Sequence, residues 1–288
     1  MSTILGTPDP VAFTVFGREI RWYAILMASA ILISYFLFVK RSMKKGFKED
    51  DLYDLFLVMI PMGVVGARLY YVLFYDLSYY LANPSKILAI WEGGLAVHGS
   101  IILGLLGVIL VVRKKKWDLL EITDLLVPSL ALGQAIGRWG NYFNMEAHGV
   151  ETTLPWAIRV LENGKWINVH PTFLYESLWD LGVFLVLLLL IDRRKTVNGQ
   201  TTCWYFIIYS VGRFWIEGLR TDSLMFLGLR QAQLISIVLI ILGFGGLMIL
   251  RRKKDLHTDL VPSEEDDATP LGEEASDEVI SPAEDTDA

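Results

Sequence analysis

Seven apolar stretches, near 20–39, 52–74, 97–112, 119–138, 172–191, 203–217 and 233–250, divide this chain of 288 residues. Each approaches the roughly 20 residues that a helix needs to cross a bilayer core, although the third and sixth are short. The fold expected is all-α and polytopic, with seven transmembrane helices. Three segments are left on the side opposite the basic loops, 75–96, 139–171 and 218–232, and the middle one is long enough for a small folded head. Within it, TTLPWAIRVLENGKWINVHP reads as two short strands about an Asn163-Gly164 turn. No parallel or inverted repeat relates the halves of the chain.

Charge gives the pattern a direction. Of the 26 Lys and Arg residues, 16 fall in 40–48, 113–116, 193–195 and 251–254. Basic loops stay in the cytoplasm, so the N-terminus is expected outside and the C-terminus inside. The net charge of -6 hides this, because residues 255–288 carry 13 acidic and no basic side chains. That tail cannot bury enough apolar surface to order itself, so a disordered cytoplasmic appendage is expected. The 53% hydrophobic content confirms the membrane class. Lys40, Arg41, Lys44, Lys45 and Lys48 follow the first apolar run where a cleaved signal peptide would have small residues, so that run is expected to remain as a span. The single cysteine, Cys203, rules out an internal disulfide and a multi-cysteine metal site.

With sidedness fixed, the ionisable groups of five spans gather toward the outer leaflet: Arg68 on span two, His98 on span three, Arg138 on span four, Tyr175 and Glu176 on span five, and Arg213 and Glu217 on span six. Tyr23 opens span one at the same face. A lone charge at a helix end is usually a snorkelling anchor. Glu176 and Asp180 are four apart on one helix face, as are Tyr209, Arg213 and Glu217, so intramembrane ion pairing could explain them. Gly133 and Gly137 suit close helix packing, and Trp22, Trp117 and Trp204 suit interfacial belts. Asp54 and Asp124, near inner ends, read as structural. Anchoring does not account for several cations, a histidine and amides converging where only lipid is at hand. Arginine's planar fork suits phosphate and stays charged when water is scarce.

The stretch GRWGNYFNMEAHG, residues 137–149, resembles the signature of bacterial prolipoprotein diacylglyceryl transferases, G-R-x-G-N-F-x-N-x-E-x-x-G, with Tyr142 in place of the usual phenylalanine. Five further pieces lie in the family's order: IRWYAIL with Tyr23, GARLYYV with Arg68, GGLAVHGS with His98, HPTFLYE from His170 to Glu176, and YSVGRFWIEGLR with Arg213 and Glu217. Ser100 replaces the second glycine of the usual histidine-glycine-glycine. The resemblance covers residues 1–254, the expected transferase domain, and leaves the tail at 255–288 outside it.

The resemblance implies transfer of the diacylglyceryl group of phosphatidylglycerol to the lipobox cysteine of a prolipoprotein, the first step of lipoprotein maturation. It implies no cofactor and no metal, no nucleic acid, and a site at the extracytoplasmic face of the bacterial plasma membrane. Its carried-over substrate-binding set is Tyr23, Arg68, Arg138, Asn141, Asn144, Glu146, Gly149, Tyr175, Arg213 and Glu217. Arg138 and Arg213 would grip the departing phosphate, and Asn141, Asn144 and Glu146 would orient an arginine or the glycerol hydroxyls, while Gly149 lets the loop turn. A thiol near pKa 8.5 needs a base or a positive field. His98 suits that role by type, with Glu146, Tyr23 or the arginine field as alternatives and a structural histidine as the plain reading. His148, His170 and His257 receive no catalytic role. A transporter or a non-catalytic lipid-binding scaffold are the competing classes. A transporter would string polar groups through the midplane, and a scaffold would have no use for His98.

Overall fold

The computed structural model describes residues 7–260 apart from 163, 224 and 227. It is mostly helical. A hairpin of β1 (Val11–Val15) and β2 (Arg18–Arg21) leads into α1 (Trp22–Met43), and α2 (Glu49–Phe74) follows after a short turn. The next segment holds α3 (Leu77–Ala82) and two 3-10 turns before α4 (Val97–Lys115) and α5 (Leu119–Phe143). The expected head contains the antiparallel pair β3 (Ile158–Glu162) and β4 (Lys165–Val169). It sits on the start of α6 (Thr172–Val186), which passes through a π-helical turn into α7 (Asp192–Arg194). Then come α8 (Gln200–Glu217), a short β5 (Met225–Phe226) and β6 (Leu229–Arg230) hairpin, and α9 (Gln231–Leu260).

Among the described residues, six helices are long and apolar enough to span a membrane: α1, α2, α4, α5, the α6–α7 run Thr172–Arg194, and α9 within Gln231–Arg252. The chain is a polytopic membrane protein whose large apolar side chains face outward, as Leu57, Ile101 and Ile241 do. The expected seventh helix exists as α8 but is not among the six, because Thr201, Thr202, Tyr205, Tyr209, Ser210, Arg213 and Glu217 lower its apolar character. Helix α9 continues to Leu260, so the first residues of the acidic tail are helical, and 261–288 lie outside the described residues. So does Asn163 of the β3–β4 turn, while Gly164 is described there at a φ of 76°.

Small residues let the helices approach. A Cβ on Gly66 would sit 2.3 Å from the Gly99 carbonyl oxygen, and one on Gly99 would sit 2.0 Å from that of Gly66, so α2 and α4 touch backbone to backbone. Ser100 is accommodated beside them because it faces Gly63. Along α5, Gly133, Gly137 and Gly140 pack on Ser34, Met27 and Tyr23 of α1. At the opposite end of this pair, Arg41 of α1 donates to the Leu125 carbonyl (2.7 Å) and pairs with Asp192 (3.1 Å). Asp124, fully buried, caps α8 from α5: it accepts from the Gly199 and Thr202 N–H groups at 2.8 and 2.7 Å and pairs with Lys195 at 3.1 Å. A carboxylate from a neighbouring helix thus satisfies donors that the α8 start leaves open.

Candidate active site

Glu176, 3% exposed, is the centre of the polar cluster. Its two oxygens meet Arg138 Nε and Arg213 Nη1, each at 2.6 Å. Arg213 also holds Glu217, one helical turn further along α8, at 2.7 Å. Arg220, just beyond the end of α8, approaches Glu176 at 3.5 Å and Glu217 at 3.8 Å. Three helices therefore contribute to one knot: α5 gives Arg138, α6 gives Glu176, and α8 gives Arg213 and Glu217. Asp180, one turn below Glu176, is 2% exposed and its Oδ2 has no hydrogen-bond partner among the described residues. Tyr209 lies within electrostatic reach of Arg138 and Arg213.

Arg220 is also gripped by Asp222, at 3.0 and 2.8 Å. Burial pushes the Asp222 carboxyl up, but the hydrogen bond and charge of Arg220 hold it below its ordinary value. Burial likewise opposes the charge on Arg220. Asp222, Glu176 and Glu217 outweigh it, so the guanidinium stays above its ordinary pKa.

A second group adjoins the first at the end of α5. Asn141 and Asn144 both donate to Glu146 Oε1, at 3.0 and 3.3 Å. Glu146 stands between Met145 and Ala147, which hold φ values of 52° and 56°. Tyr23, seated on Gly140, feels both Glu146 and Arg138. Tyr23, Asn141, Asn144, Glu146, Arg138, Arg213 and Glu217 of the expected set are thus brought together.

The remaining expected residues are placed elsewhere. The guanidinium of Arg68 points its N–H groups at the carbonyls of Lys86, Ile87, Ala89, Gly93 and Gly94, between 2.6 and 3.4 Å, and stacks over Tyr80. A guanidinium has five N–H donors, so the loop before α4 consumes them all. His98 lies beside Tyr70, with ring centroids 5.7 Å apart, and no hydrogen bond or ion pair joins it to the arginines among the described residues. Tyr175 turns into the head, where its hydroxyl accepts from Trp156 Nε1 at 2.8 Å and lies 3.2 Å from His170 Nδ1.

Gly149 differs from expectation in its reason. The turning is done by Met145 and Ala147, whereas Gly149 lies where three segments cross: a Cβ there would meet His170 Cβ at 2.7 Å, and Leu219 O and Thr172 Cγ2 at 3.1 Å. Its neighbour Val150 donates to the Leu219 carbonyl at 2.9 Å, and Gly149 pairs with Arg220 as an isolated bridge. The loop that ends the motif therefore buttresses the segment carrying Arg220. Sequence reasoning omitted Arg220 from the site and read Glu176 only as an ion-pairing residue. Both close their motif pieces, HPTFLYE and WIEGLR, and that position was the available signal. Among the described residues, no three His, Cys, Asp or Glu side chains group as a metal site would need.

A family model described as prolipoprotein diacylglyceryl transferase matches residues 10–249. The chain belongs to this family. The stretch matched holds all of the helices that build the arginine knot. A phosphatidylglycerol–prolipoprotein diacylglyceryl transferase of Clostridioides difficile (strain 630) is 46% identical over 245 residues, 85% of this chain and 96% of the relative. One from Thermotoga maritima is 48% identical over 251 residues, covering 84% of this chain and 85% of its own. One from Gloeobacter violaceus is 44% identical over 261 residues, covering 88% and 97%.

Proposed function

We propose that this chain transfers the diacylglyceryl group of phosphatidylglycerol to the cysteine thiol of a prolipoprotein lipobox. The sulfur, deprotonated, attacks the glyceryl carbon that bears the phosphate. A C–S bond forms, the C–O bond breaks, and its electron pair leaves on the phosphate oxygen as glycerol phosphate. The observation that carries the reading is the convergence of Arg138 and Arg213 on one buried acid, Glu176. The ion pair of Nε with Glu176 holds the Arg138 guanidinium in place, and donors fixed beforehand cost little reorganisation as charge develops. Asn141, Asn144 and Glu146, next to Tyr23, are suited to glycerol hydroxyls.

In this reading Arg68 serves the substrate indirectly, by fixing the loop over α4, and Tyr175 by fixing the head. Gly149 admits the crossing that seats Arg220. His98 is retained as the proton acceptor, and Glu146 and Tyr23 are the groups nearer Arg138 that compete for that role. All seven long helices span, the N-terminus lies outside, and the basic ends at 40–48, 113–116, 193–195 and 251–254 face the cytoplasm. The knot is at the other end of α5 and α8, which supports a site at the extracytoplasmic leaflet of the plasma membrane. Residues 1–254 make up the transferase domain, with 139–171 as its head and 255–288 as a cytoplasmic tail.

The test is to incubate the purified chain with phosphatidylglycerol labelled in its acyl chains and a lipobox peptide. A thioether-linked diacylglyceryl peptide appearing together with glycerol phosphate is the expected result. Lipid retention without turnover, or label moving across vesicles, would overturn it.

A further inference from the structure

Two open surface hollows lie at the basic end of α1, about 25 Å along the helix from Tyr23 at 1.5 Å per residue. One is a groove of about 520 Å³ on α1, lined by Phe36, Val39, Lys40, Met43 and Lys44. The other, of about 290 Å³, is formed by the α1–α2 turn and lined by Lys45, Gly46, Phe47, Lys48, Asp51 and Trp117. The first has apolar walls with two ammonium groups, four residues apart, at one end. The second has mixed polar and apolar walls and is lined by two more.

The charges there are out of balance. Arg41 is paired with Asp192, and Lys115 takes both Asp51 and, at 2.6 Å, Asp54. Glu49 accepts from the Tyr53 hydroxyl at 3.0 Å. Lys40, Lys44, Lys45 and Lys48 make no side-chain hydrogen bond or ion pair among the described residues, and of the acids opening α2 only Asp50 is without a side-chain partner. Snorkelling explains a lysine at a span end. It does not explain four within nine residues lining an open apolar groove and a second, mixed hollow that holds an indole.

We infer that this end of the protein is a binding site for one anionic glycerophospholipid of the leaflet that contacts the basic loops, separate from the substrate site. An acyl chain lies along Phe36, Val39 and Met43. The phosphate sits between Lys40 and Lys44, and the rest of the headgroup enters the pocket beside Lys45, Lys48 and Trp117. Basic pockets at cytoplasmic helix ends take anionic headgroups on these grounds, and each lysine near the lipid contributes roughly fivefold in affinity. Calling that leaflet cytoplasmic rests on the sidedness proposed above; the binding itself does not.

Native mass spectrometry of the full chain in neutral detergent tests this, with dioleoyl phosphatidic acid as the probe and an Arg138→Ala/Arg213→Ala background to silence the arginine knot. One phosphatidic acid should bind at least tenfold more tightly than dioleoyl phosphatidylcholine. Lys40→Gln/Lys44→Gln should lose roughly 30-fold, and Lys40→Arg/Lys44→Arg should restore binding. In the wild-type background the Gln pair should keep its transfer rate. Equal binding by the Gln pair, or equal affinity for phosphatidylcholine, overturns the site. Competition by inorganic phosphate at the same concentration makes it a simple anion site and overturns the lipid reading. So does lipid binding seen only when residues 261–288 are removed, which would give the site to the acidic tail.

Discussion

At the scale of single residues, Glu176 sets the account's most specific expectation. It neutralises the knot and also aims both arginines. Glu176→Gln leaves the knot more positive, so phosphatidylglycerol should bind as well or better, while the arginines lose the anchor that orients them. Misplacement of this kind costs about 100-fold in turnover. The expected result is a lower kcat with an unchanged or lower KM for lipid. A raised KM with normal kcat would make Glu176 a binding group only. Gly149 gives a second expectation. Gly149→Ala drives a Cβ into His170 and the Leu219 carbonyl, and overpacking of this sort costs about 1–3 kcal/mol. Its thermal midpoint in detergent should fall, whereas Gly182→Ala, which meets nothing within 4 Å, should hold its midpoint or gain. Equal midpoints for the two would remove the three-way crossing as the reason for Gly149. The residue type at 149 was legible in the motif, but its reason was not, because the crossing joins positions 149, 170 and 219. The surroundings of Arg68 were not legible for the same cause: its partners are backbone carbonyls, which carry no sequence signal.

Among elements, the long apolar runs were legible to within a few residues, because continuous apolarity at span length has one solution in lipid. The β3–β4 hairpin was legible from its turn. The β1–β2 hairpin, with its tip at Phe16 and Gly17, and the short α3 were not read, since neither has a long period to detect. Helix α8 is the informative case. Its polar residues weaken the hydropathy signal because they build the site and the contact with α5. Asp124 ties the basic end of α8 to α5, and Asp124→Ala would strand Lys195 and uncap the helix. Breaking a buried pair costs about 3–5 kcal/mol, so the midpoint should drop sharply and Lys195→Ala on top should recover part of it. If Asp124→Ala melts as the parent does, the capping account fails.

For the whole molecule, the two ends of the bundle carry different chemistry: paired arginines at one, and at the other Lys40, Lys44, Lys45 and Lys48, which make no ion pair among the described residues. The sidedness proposed above puts the acidic tail, residues 255–288, on the side of the lysine end. Ending the chain after Leu260 should therefore leave thioether formation near the parent rate at equal membrane levels, and a large loss would put the tail, or the sidedness, in conflict with the site. Two fixed guanidinium forks are proposed to stabilise the departing phosphate. Lysine keeps the charge of each but loses the second hydrogen bond and the fixed plane. The most direct measurement is the rate of thioether formation on a lipobox peptide by Arg138→Lys and Arg213→Lys, expressed to equal membrane levels. Removing one such donor costs about 100- to 1,000-fold in analogous sites, so each variant should insert normally and lose most of its turnover. Near-parental rates in both would reduce the arginines to interfacial anchors and contradict the mechanism.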